Sequence, residues 1–227
     1  MSFDLVSRAV GDFLFVFGAL FAVINPYGLA FVFLDRTMNQ SKEERALIAR
    51  RVALFSFMVI FVSLFFGAYI LKFFGISMSA LRIGGGLVVA ASGWTMLHST
   101  PTSSVSHATS NLKFEAAKSL AFFPLTIPLT TGPGTIATAI AIGTSRHDSL
   151  ESLVSAFPVW ITAALLVTAT IYHAYSRSGV LARVVGEQGT SIITRLSAFL
   201  LLCVGVQIVL TGVVDTVRSL PNGASLP

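Results

Sequence analysis

Apolar residues run along this chain in six long blocks separated by short polar stretches, with little in-out alternation inside a block. The blocks are Phe13 to Leu34, Val52 to Phe74, Ser79 to Leu97, Ser119 to Gly143, Leu153 to Tyr175 and Ile192 to Val214. Crossing about 30 Å of hydrocarbon takes about 20 predominantly apolar residues in a helix, so each block predicts one transmembrane helix. Continuous apolarity argues against a β-barrel, whose strands alternate lipid-facing and lumen-facing residues. The first block is long and no small-residue cleavage site precedes the second, so it is expected to remain as the first transmembrane helix.

Two of the blocks are interrupted. Asn25-Pro26-Tyr27-Gly28 lies inside the first, and Thr131-Gly132-Pro133-Gly134 lies inside the fourth, about half a chain later. A backbone group left without a partner in lipid costs several kcal/mol, so spanning helices normally keep their ladder whole. Proline removes one donor and its ring clashes with the carbonyl four residues back, here that of Ala22 for Pro26. Glycine adds conformational freedom. Each interruption should therefore start a new half-helix whose first N–H groups lack intrahelical acceptors, with Asn25 placed as an N-cap. Pro124 and Pro128 loosen the turns before the second break, and Thr130, Thr131 and Thr135 put hydroxyls around it.

The polar run Ser99 to Ser104 sits in a stretch, residues 98–118, that reads as a cytoplasmic linker between a first three-helix unit (1–97) and a second (119–227). Gly75-Ile76-Ser77 before Arg82 is echoed by Gly189-Thr190-Ser191 before Arg195. Because each unit has an odd number of helices, the second must lie inverted relative to the first. The expected fold class is thus an all-α membrane protein of six transmembrane helices in two inverted three-helix repeats, with helices 1 and 4 broken. Inverted repeats with discontinuous helices are the pattern of secondary transporters.

Charge adds orientation. Hydrophobic residues make up 54% of the chain and charged residues 11%, against about 25% charged in soluble domains. The net charge of +5 does not describe a nucleic-acid surface. With alternating helices, one face collects ten Lys and Arg residues and the other five. That asymmetry puts both termini outside the cytoplasm by the positive-inside rule. Ser41-Lys42-Glu43-Glu44 has capping-box spacing, Val180 to Glu187 reads as a short surface amphipathic helix, and Trp94, Trp160 and His173 read as an interfacial belt.

The candidate chemistry is neutral. No Asp or Glu falls inside a block; Asp12, Asp35, Asp148 and Asp215 lie at the edges. A carboxylate proton relay and an enzyme of the Ser-His-Asp kind are therefore not expected. Cys203 stands alone, so neither a disulfide nor a metal cluster follows. Serines and threonines within the blocks are expected to bond back to their own helices. Arg82 and Arg195 read as snorkelling anchors or as contacts to the opposite half. Gly84, Gly85 and Gly86 give the third span a face for close packing.

Several stretches carry a resemblance. Ile24-Asn25-Pro26-Tyr27-Gly28, Leu81-Arg82-Ile83-Gly84-Gly85-Gly86-Leu87-Val88-Val89-Ala90 and the run from Ile127 to Ala137 are similar to those of MarC-family membrane proteins. So are Arg177-Ser178-Gly179 and Arg195-Leu196 leading to Gly205-Val206-Gln207 and Gly212. The sequence departs from that family at Phe31, where many relatives place a second proline. The resemblance implies a six-helix inner-membrane protein, and a related branch transports small neutral amino acids such as glycine and alanine.

The expected function is secondary transport of a small neutral amino acid or similar solute by alternating access. In that reading Asn25, Pro26, Gly28, Thr130, Thr131, Gly132, Gly134, Thr135 and Gln207 bind the solute, with amides near Gly28 and Gly134 on its carboxylate. No cofactor is expected, though sodium or a proton could couple through freed carbonyls. The expected partners are the lipid bilayer and the solute, with no nucleic acid. The alternatives are an exporter of drugs or other apolar compounds, using the 19 phenylalanines, and a non-transporting scaffold that docks a partner on the glycine face of span three.

Overall fold

A computed structural model describes residues 2–98, 121–144 and 150–219. Among these residues every regular element is helical: α1 (Ser2–Ile24), α2 (Pro26–Arg36), α3 (Lys42–Phe73), α4 (Met78–His98), α5 (Ala121–Thr130), α6 (Pro133–Thr144), α7 (Leu150–Ser176) and α8 (Ser178–Ser219). Five stretches are long and apolar enough to span a bilayer: Ala9–Arg36, Lys42–Phe73, Met78–His98, Ala156–Ser176 and Ser191–Ser219. The bent pair α5–α6 makes a sixth if counted as one span. The expected linker lies outside the described residues except for His98, the last residue of α4.

Local chemistry sets several boundaries. Ser41 caps α3 as a complete capping box, accepting from the Glu44 amide while the Glu44 carboxylate accepts from the Ser41 amide at 2.8 Å. Gly75, at φ +65°, lets the chain leave α3 in a left-handed conformation that most residues avoid. Within α8, Gly186 (φ +78°, ψ 172°) interrupts the helix, so the segment from Ser178 is separate from the spanning part.

The helices pack in a consistent scheme. α4 lies along α8, α3 packs on α6 and α7, and α1 packs on α7 and α6. A core of Val16, Leu20 and Ile24 from α1, Ile60 and Leu64 from α3, and Trp160, Val167 and Ile171 from α7 is nearly solvent-free. Trp160 is only 2% exposed and lies 5.6 Å from Phe65. It belongs to this core, which corrects its expected place in an interfacial belt; Trp94 is exposed.

Glycines make the α4–α8 contact possible. A Cβ on Gly86 would lie 2.7 Å from the Gly205 carbonyl oxygen and 2.8 Å from the Val209 amide. Gly85 faces Pro133 instead, where a Cβ would come within 2.8 Å. Small residues allow backbones to approach closely in lipid. Gly85 and Gly86 are therefore covered by the chain's own helices, whereas a Cβ on Gly84 would meet nothing within 4 Å.

Candidate functional site

At the first break, Asn25 adopts a left-handed conformation (φ 45°, ψ 62°) as the N-cap of α2, with Pro26 at the first helical position. Its amide donates to the Phe21 carbonyl at 2.8 Å, and its own carbonyl accepts from Leu29 at 3.0 Å. The ladder is thus interrupted over few residues, and Ala9–Arg36 still counts as one span. The Gly28 N–H donates to Asn25 Oδ1 at 3.3 Å. Gly28 is small for a reason: a Cβ there would meet the Asn25 amide at 2.5 Å. The expectation that Gly28 offers its N–H to a carboxylate is corrected, because Asn25 already occupies that donor.

The second break is larger. α5 has backbone bonding of the i→i+5 kind, with non-helical Phe123 and Ile127 inside it and a cis Ile127–Pro128 peptide. Threonine hydroxyls add a second donor to carbonyls five residues back. Thr126 Oγ1 donates to Ala121 O at 2.6 Å, and Thr130 Oγ1 donates to Leu125 O at 2.6 Å. The Thr131 amide and hydroxyl both donate to Thr126 O, at 2.8 and 3.3 Å. The chain then turns by 65° into α6. Gly134 and Thr135, in the first turn of α6, carry amides with no acceptor one turn back in their own helix. Among the described residues the Thr135 hydroxyl has no hydrogen-bond partner.

A cavity of about 20 Å³ lies against this break, lined by Thr130, Gly132, Gly134 and Thr135 and closed by Val23, Val89, Leu201 and Ile208. That is room for about one water molecule. Val23 stands just before the first break, so α1 reaches the cavity, but Asn25, Pro26 and Gly28 do not line it. Thr131 is fully buried and outside the lining. Gln207 is exposed on α8 and lines neither this cavity nor a larger one beside it; its backbone carbonyl accepts from Thr211 Oγ1 at 2.9 Å. Of the nine expected residues the cavity brings together four, Thr130, Gly132, Gly134 and Thr135, and leaves Asn25, Pro26, Gly28, Thr131 and Gln207 outside its lining.

Other polar residues behave as their chemistry dictates. Ser92, Thr95, Thr162 and Thr168 donate to carbonyls four residues back. Ser56 Oγ is buried without a partner. Arg82 is ion-paired with Asp215 of α8, a contact to the opposite half of the chain, whereas Arg195 is exposed. Among the described residues no group of three or more His, Cys, Asp or Glu could hold a metal.

One residue at the site was not legible in the sequence. Tyr175, fully buried, reaches Thr130 from α7 with its hydroxyl at 2.8 Å and stacks on Phe33 of α2 at 4.5 Å. A Tyr within the fifth apolar block was the available signal.

Comparison with known proteins agrees with this architecture. The family described as MarC family integral membrane protein matches residues 11–217. The UPF0056 inner membrane protein MarC of Citrobacter koseri is 31% identical over 212 residues, covering 88% of this chain and 93% of that protein. Its namesake in Salmonella paratyphi B is 32% identical over 213 residues with the same coverage, and that of Escherichia coli O1:K1 is 31% identical over 210. No solved structure matches. With the family matched over nearly the whole length and the apolar helices in place, the chain belongs to the MarC family of integral membrane proteins.

Proposed function

We propose that this protein is a secondary transporter of a small neutral solute in the inner membrane, a zwitterionic amino acid being the leading candidate. One observation carries the reading: the amides of Gly134 and Thr135 and the Thr135 hydroxyl, which has no partner among the described residues, border a small cavity. A helix N-terminus favours an anionic group through its unsatisfied N–H donors and its dipole, and a carboxylate is such a group.

In this proposal the six spans form two inverted halves with both termini outside the cytoplasm, and access alternates as the meshed α4–α8 pair moves against the other helices. The cavity of about 20 Å³ is too small for any amino acid, so the described conformation is a closed one. Opening would separate Ile208 and Leu201 of α8 from the break. Sodium or a proton would couple through freed carbonyls near Pro128; no cofactor and no catalytic step is invoked.

The test is uptake of radiolabelled glycine or alanine into liposomes holding the purified protein, with and without sodium and proton gradients. Accumulation above empty vesicles is expected. The same low uptake in both, under every gradient, overturns the proposal.

A further inference from the structure

A cavity of about 300 Å³ lies beside the second break and plays no part in the chemistry above. Arg82 of α4 lines it, as do Thr138 of α6 and Thr211 of α8, each of which carries a hydroxyl; Phe15, Ala19 and Ile208 are among the apolar remainder. The volume lies at the small end of ligand-binding cavities, about 300 to 1,000 Å³. Thr138 follows Gly134 by four residues, about 6 Å along a helix, so this space and the smaller one are neighbours. Ile208 lines both, and its Cδ1 stands 2.7 Å from where a Gly134 Cβ would be. Ile208 is the partition between them.

Among the described residues that line the larger cavity, Arg82 alone is charged. Its Nη1 is bonded to Asp215, with the two side chains 24% and 35% exposed. Asp215 itself does not line the cavity. A guanidinium has five N–H donors, and one aspartate oxygen leaves most of them available. Planar paired donors are suited to a carboxylate.

We infer that this cavity is an entry subsite for a small carboxylate with a compact apolar body. The carboxylate rests on Arg82, the body lies against Phe15 and Ala19, and Ile208 closes the way to Gly134 and Thr135. Its place on a route to the break rests on the transport reading; its chemistry does not.

The test uses the full chain in liposomes with Cys203→Ser and Thr138→Cys, or Ala141→Cys should the first variant fail to fold. Two thiol reagents are compared, the anionic sulfonatoethyl and the cationic trimethylammonioethyl methanethiosulfonate. The anionic reagent is expected to react about fivefold faster, with the preference lost in Arg82→Gln. Excess propionate is expected to slow labelling and propylammonium to leave it unchanged. No labelling by either reagent, which marks a lipid-filled cleft, overturns the subsite. So does a preference that survives Arg82→Gln. Protection by phosphatidylglycerol with none by propionate also overturns it, giving Arg82 to a lipid headgroup. Labelling as expected, together with no amino-acid uptake by the native protein, sinks the transport reading and leaves the carboxylate site standing.

Discussion

The Tyr175 hydroxyl lies 2.8 Å from Thr130 Oγ1, joining α7 to the last residue of α5 before the chain turns into α6. Thr130 has a single hydroxyl hydrogen, and it goes to the Leu125 carbonyl at 2.6 Å. Tyr175 must therefore be the donor. The phenol fixes the threonine rotamer, and the threonine in turn holds the Leu125 carbonyl of the irregular helix.

Tyr175→Phe removes that donor but keeps the ring stacked on Phe33. A buried hydrogen bond contributes about 1 kcal/mol net, so a loss of stability of that order, read as a lowered melting temperature, is expected for the purified protein in detergent. Tyr175→Ala also loses the ring and is expected to cost about 3–5 kcal/mol. Equal stability of the Phe variant and the native chain would show that the bond does not form.

The cap at Asn25 gives a second test. Asn25→Ala loses the acceptor for the Gly28 amide and places an alanine at φ 45°. A cost of about 1–2 kcal/mol is expected. Asn25→Gly keeps the backbone conformation at no steric cost, and a loss of only a few tenths of a kcal/mol is expected. Thermal unfolding of the two variants side by side reads the difference; if Gly is the worse, the cap argument is wrong.

Gly84 and Gly86 are two residues apart yet should respond in opposite ways. A Cβ at Gly84 meets nothing within 4 Å, whereas one at Gly86 runs into the backbone of α8. Gly86→Ala is expected to destabilise by about 1–3 kcal/mol through forced separation of the helices. Gly84→Ala should be neutral or slightly stabilising, since alanine favours the helix. Comparable losses at both positions would contradict the packing described.

Thr135→Val swaps a hydroxyl for a methyl in the small cavity. Among the described residues no hydrogen bond is lost, so folding stability should change by less than about 1 kcal/mol. Uptake by proteoliposomes should fall at least about tenfold if the hydroxyl contacts the solute, as one lost charge-assisted bond implies. Unchanged uptake removes Thr135 from the site.

What the sequence reveals here divides along the range of the interactions. The Asn25 cap, the Ser41 capping box and the Thr-Gly-Pro-Gly turn depend on neighbours a few residues away, and all are readable as spacing. Which way a helix faces is not. In a soluble protein an apolar stripe marks the buried side, but lipid accepts the same residues on the outside. Leu64 is 1% exposed and Leu54, ten residues earlier on the same helix, is 52%; nothing in their chemistry separates them. The rotation of α8 that turns Gln207 outward and Ile208 inward is set by where Gly86 and Gly205 meet, a contact between residues more than a hundred positions apart. Tyr175 was missed for the same reason, its partners Thr130 and Phe33 being remote in the chain. Gly28 looked open because its spacing from Pro26 is visible, while the side chain folded over it is not.

The glycine seam between α4 and α8 has a mechanical result. With backbone meshed against backbone, neither helix can slide or roll without lifting the other away, so the pair behaves as a single stiff beam. Arg82 bound to Asp215 adds a rivet near the end where α4 begins. Any force that shifts Ile208 is consequently felt by Val89 on the other member of the beam, and both walls of the small chamber move together.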